Sequence, residues 1–245
     1  MTHTHALLSL LGLVALLLAP PARADVHVIE STVPAIAAGR QLADHDTIAL
    51  PAGTHVRVVL PSGKTQTIKG PFTGKVGDLA KGQPRNEGVL AWLKGLLDTG
   101  GATETTAGAT RSIGREMPRP RIGFSWSAVP VTIDGSVCVA KGTALQLVRA
   151  PSASPERVAV IDTTSGQRGE AQWQAGSDAA AWPANLAPRP DATYLVVVGD
   201  RPPRKVVLRE LATLPADEDV LTELHKLGCK PQFEAWVREK TAQRR

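Results

Sequence analysis

The chain has 245 residues, 28 basic against 23 acidic for a formal net charge of +5, and only 4% of its residues are aromatic. That length supports one or two domains, and a core with so few rings must rest on Val, Leu, Ile and Ala. The mild basic excess gathers in "REMPRPR" (115–121) and "REKTAQRR" (238–245) without interleaved aromatics, which excludes a single-strand nucleic-acid platform; both stretches read as solvated charge.

In chain order, residues 1–24 read as a signal peptide. The apolar run 6–19 is too short to span a bilayer, Pro20 and Pro21 break it, and Ala22-Arg23-Ala24 supplies the small-x-small site for cleavage before Asp25. This leader carries His3 and His5 but no Lys or Arg; its length disfavours the alternative of an uncleaved anchor, and without a nearby Cys it does not read as a lipoprotein leader. Nothing after residue 19 is apolar for long enough to form a second span, so the expected location is the periplasm or the exterior.

Residues 25–98 are expected to form a small antiparallel β module followed by a helix. "VHVIES" (26–31) alternates with both faces partly covered, "VPAIAAGRQL" is a loop turning at Gly39, and "TIAL" (47–50) is a short strand stopped by Pro51-Ala52-Gly53. In the next hairpin Val56, Val58 and Leu60 face inward with His55 and Arg57 opposite. Pro61-Ser62-Gly63-Lys64 makes the turn, and "TQTIKG" returns with Ile68 inward and Thr65, Thr67 and Lys69 outward until Gly70-Pro71 ends the strand. "NEGVLAWLKGLLD" (86–98) has helical periodicity, with Asn86 as its cap.

The stretch "AGRQLADHDTIALPAGTHVRVVLPSGKTQTIKGP" resembles the FecR-like β domain of bacterial envelope proteins: a Gly-led loop, a short strand, a strand ending at a Gly turn, and a return strand. The chain as a whole is similar to exported proteobacterial proteins of unassigned activity that carry this module first and a Cys-containing β domain after it. The resemblance implies an envelope role, a sensing component among the alternatives, and names no chemistry.

Residues 99–121, rich in Gly, Thr, Ala and Pro, read as a flexible linker. From 122 to 245 about eight short strands at regular spacing predict an Ig-like β-sandwich, and the end of the chain predicts a C-terminal helical hairpin. In that hairpin Asp217 is the expected cap of the first helix, Gly228 its stop, and Pro231 the opening of the second. The fold class is therefore mainly β.

Cys138 and Cys229 are the only cysteines, and an even count in an exported chain predicts a disulfide. It would staple the helical hairpin, whose turn holds Cys229, to an early strand of the sandwich. Two free thiols and a metal site are the alternatives; His225, four residues before Cys229, is the neighbour that a thiol nucleophile would need.

No G-x-S-x-G elbow occurs, and "SGKT" (62–65) lacks the upstream glycine of a phosphate-binding loop. The sharpest metal hypothesis gathers His27, His45 and His55 in the N-terminal module, with "DHD" at 44–46, although their spacing matches no ligand motif. The tryptophans at 92, 126, 173, 182 and 236 suit either a core or a sugar-binding surface. No cofactor motif is present. The sequence thus points to a non-enzymatic envelope binding or scaffolding protein whose partner is another envelope protein or an envelope polymer, with a metal-dependent periplasmic hydrolase and an envelope sensing component as alternatives.

Overall fold

The computed structural model describes residues 25–98 and 123–242. The expected signal peptide (1–24) and linker (99–121) lie outside the described residues. Within them the protein is mainly β, with helices at the end of each half.

The first half contains β1 (Val26–Ser31), β2 (Gln41–Leu42), β3 (Thr47–Leu50), β4 (His55–Val59), β5 (Thr65–Lys69), β6 (Phe72–Lys75), α1 (Val76–Ala80) and α2 (Glu87–Asp98). A four-stranded antiparallel sheet runs β2-β1-β4-β5, and β3 pairs with β6 in a second, two-stranded sheet. Val26, Val28, Val56, Val58 and Ile68 point from the larger sheet toward Ile48 and Leu50 and close one core. The period-two pattern predicted this face. Gly39 and Gly63 take φ of +88° and +83°, the left-handed conformation their turns require, and Val89 N donates to Asn86 Oδ1 at 3.2 Å, confirming the cap of α2.

Two details differ from expectation. β5 ends at Lys69 before the cis Gly70-Pro71 peptide, as expected, but the chain then forms β6 and α1, elements the sequence reading did not include, and β2 forms inside the loop that ends at Leu42. Nor is Thr65 outward: it pairs with Val59 across the hairpin, on a face that the end of the chain covers, and is buried.

The second half holds the predicted eight strands: β7 (Ala128–Pro130), β8 (Gly135–Ala140), β9 (Gln146–Val148), β10 (Glu156–Asp162), β11 (Arg168–Trp173), β12 (Ala179–Ala181), β13 (Thr193–Val198) and β14 (Arg204–Leu211). They form a sandwich of a five-stranded sheet, order β11-β10-β13-β14-β8, and a three-stranded sheet, order β12-β9-β7. Leu147, Val160, Trp173, Tyr194, Val206 and Leu208 fill the space between them. The Arg189 amide donates to the Tyr194 hydroxyl at 2.9 Å, tying a buried ring back to the backbone just upstream, as in the tyrosine corner of Ig-like sandwiches. Two pairs, β14 with β8 and β7 with β9, are parallel.

The helical hairpin consists of α3 (Val220–Lys226) and α4 (Lys230–Ala242), separated by Gly228 at φ +72°. Asp217 does not cap α3: Asp219 occupies the cap position without a side-chain bond, and the Asp217 carboxylate instead meets the Arg57 guanidinium on β4. Together with α2 the hairpin forms a helical layer. On one side it meets Ile29 and Val59 of the N-terminal sheet, on the other Cys138 and Leu211 of the sandwich, and Leu93, Leu221, Leu224 and Phe233 pack between. Strand alternation makes this geometry possible, since β8 sends Val137 and Val139 into the sandwich and Cys138 out to the helices.

Gly70 tests the packing of the first module. A Cβ there would lie 1.9 Å from the Pro51 carbonyl oxygen, a backbone atom that cannot rotate away, while the Gly70 amide donates to Thr54 O. Gly70→Ala is expected to lower stability by about 1–3 kcal/mol, the usual range for forced overpacking, read from the urea midpoint followed by far-UV circular dichroism.

Candidate functional site

Most of the polar side chains that differ from the sequence reading gather at the joint between the helical layer and the two sheets. The Thr65 amide donates to Glu218 O at 2.8 Å and its hydroxyl to Asp217 O at 3.1 Å, so two carbonyls of the tail accept from the edge of β5, one from its backbone and one from a side chain. Lys64 Nζ lies 2.9 Å from the Asp219 carboxylate, which holds the ammonium above its ordinary pKa through that hydrogen bond and charge. Arg57 also lies over the Trp236 ring, 5.9 Å from its centroid, with Lys240 5.5 Å from the same centroid. Trp92 of α2 meets His225 and Phe233 edge-on, at centroid distances of 4.7 and 5.4 Å.

At the far side of the layer, Cys138 Sγ and Cys229 Sγ lie at bonding distance with their Cα atoms 5.8 Å apart, and both residues are fully buried. Beside them stands Gln232, which the sequence reading missed. Its Oε1 accepts from Cys138 N at 2.6 Å and its Nε2 donates to Cys138 O at 2.5 Å and Ser125 O at 2.9 Å. A side-chain amide thus occupies the place of a neighbouring strand along the edge of β8, satisfying backbone groups that burial would otherwise leave orphaned.

The three candidate metal ligands do not converge. His45 is exposed in the turn between β2 and β3, His55 Nε2 lies 3.1 Å from Glu30 Oε1, and His27 is buried on the helix-facing side of β1 with Nδ1 unpartnered. No group of three or more His, Cys, Asp or Glu side chains able to hold a metal occurs among the described residues. "SGKT" lies in the β4–β5 hairpin turn. Of the tryptophans, 173, 182 and 236 are core, while 92 and 126 are half-buried, the latter edge-on to Phe124 at 4.8 Å.

The sandwich carries two further polar clusters. Burial works to raise the pKa of the Asp162 carboxyl, but the Ser165 amide, the Arg189 guanidinium and the Thr164 amide together hold it below its ordinary value. This group pins the turn after β10; the Asp-Thr-Thr-Ser-Gly run was its legible signal. The Arg149 guanidinium, also buried, lies 4.8 Å from the Trp173 ring centroid, with its Nη1 3.5 Å from Glu156, a carboxylate it shares with Arg201. A shallow apolar depression of about 260 Å³ opens at the other end of the three-stranded sheet, lined by Thr143, Leu145, Trp182, Pro183, Leu186 and Pro188.

No known family model matches the chain, and comparison with curated proteins gives no significant match. No helix among the described residues is long and apolar enough to cross a membrane.

The staple and its amide neighbour give two measurable consequences. Non-reducing digestion should yield a linked Cys138–Cys229 peptide pair, and replacing both cysteines by Ser should lower the unfolding free energy by about 4.6 kcal/mol, the chain-entropy value for a loop of this size. Gln232→Leu leaves the Cys138 amide and carbonyl unpaired and should cost about 1–3 kcal/mol by urea unfolding with the disulfide intact.

Proposed function

We propose that this chain is a non-enzymatic binding or scaffolding protein of the cell envelope, periplasmic or secreted, whose N-terminal β module is FecR-like. The observation that carries this reading is the use made of its reactive side chains. Both cysteines are joined, His55 is engaged by Glu30, Lys64 by Asp219 and Arg57 by Asp217. Groups that elsewhere perform nucleophilic, acid–base or electrostatic work here tie strand to strand within a sheet or one layer to the next. A cross-linked stack of sheets and helices holds its loops in fixed relative positions, which suits a surface that must present a partner site under changing external conditions.

The test combines two measurements on purified mature protein. It should carry no stoichiometric metal by elemental analysis, and it should co-sediment saturably with isolated bacterial envelope at micromolar concentration. One metal ion per chain that is lost in His45→Ala would replace this reading with a metal-dependent hydrolase, and failure to co-sediment would remove the envelope partner.

A further inference from the structure

Among the described residues, His27 is a buried titratable side chain whose Nδ1 finds no partner in the core or the joint. It stands on β1 opposite Val59, on the face that the helices cover, and is 5% exposed. The charges acting on it are Asp25 at the head of β1 and Asp98 and Lys94 on α2. Asp25 is itself engaged, by Gln41 Nε2 at 2.7 Å and by Arg85, which also holds Glu87 at the start of α2. On the remainder of the joint, Glu30 lies against His55, Asp217 against Arg57 and Asp219 against Lys64, and His225 of α3 reaches α2 through Trp92.

The two protonation states fit this site unequally. A neutral imidazole can carry its hydrogen on Nε2 and leave Nδ1 as a bare lone pair. The imidazolium carries hydrogen on both nitrogens, so Nδ1–H becomes a buried cationic donor, and no acceptor faces Nδ1. Relief requires α2 to move away from β1.

We propose that His27 makes the packing of α2 on the N-terminal sheet acid-sensitive, so that proton uptake loosens the joint between that sheet and the helical layer. The covalent arrangement dictates how the joint parts. The disulfide keeps α3 and α4 on β8, so the helical hairpin stays with the sandwich, and α2 is the part of the helical layer that moves away from β1. This inference holds whatever partner the protein has.

The direction of the pH dependence follows from burial, which holds the His27 imidazole below the ordinary 6.5, against the opposing pull of Asp25 and Asp98. The opened state binds the proton more tightly than the closed one. Closure is therefore strongest above pH 6.5 and weakens as pH falls through that value, until the folded midpoint is reached.

Hydrogen exchange on the full mature chain with its disulfide intact tests this. Between pH 7.5 and 5.5, after correction for intrinsic exchange, opening of α2 should rise by up to about tenfold, most of it below pH 6.5, while β10 and β13 stay unchanged. His27→Phe should abolish the rise. An equal rise in that variant, or unchanged protection of α2 in the native chain, overturns the proposal. Should His27→Phe fail to fold, NMR titration of the native protein decides: a His27 midpoint below that of free histidine supports the device, and one at or above it overturns it.

Discussion

Everything in this protein depends on a helical layer that has apolar neighbours on both sides. A short helical hairpin is marginal in water alone, and here it gains stability only because two sheets offer it their outward faces. One neighbour is the N-terminal sheet through Ile29 and Val59; the other is the sandwich through Cys138 and Leu211. The two contacts are secured differently. Toward the sandwich the fastening is covalent, reinforced by the Gln232 amide, while toward the N-terminal sheet it is hydrophobic, through Ile29 and Val59, and polar, through Arg57 and Thr65. The result is a molecule with one permanent seam and one reversible seam.

The fold class was readable because strands and helices announce themselves by local periodicity and turn chemistry. The β4–β5 hairpin, the Asn86 cap, the eight strands of the sandwich and the Gly228 stop all depend on residues within a few positions of each other. What local pattern does not contain is which strand meets which. The parallel pairing of β14 with β8 joins segments far apart in sequence, and β6 was hidden behind a Gly-Pro pair that looks like an ending. Thr65 was misread for the same reason. A threonine alternating with lysine looks solvent-facing, and only the return of residues 217 and 218 buries it.

The polar joint was less legible than the core. Cys138 and Cys229 were found because an even cysteine count carries meaning in a sequence that reads as exported. Gln232 carries no such signal: an amide in an amphipathic helix is ordinary until the edge of a strand lies against it. Asp217 had a local explanation as a helix cap, and the long-range guanidinium displaced it. The histidines of the N-terminal module attracted a metal hypothesis through their nearness in sequence, but His45 stands in a turn, and His27 and His55 lie at opposite ends of the paired strands β1 and β4.

The position of residues 217–237 has a consequence for biogenesis. A chain emerges from the ribosome N-terminus first, so the opening hairpins are available to fold long before the segment that walls off their second face. Until that segment arrives, Ile29 and Val59 face water and the β5 edge lacks its backbone partner at Glu218. The first module to be synthesised is thus the last to be finished, and its interval of incompleteness is set by the time needed to bring the other end of the polypeptide home.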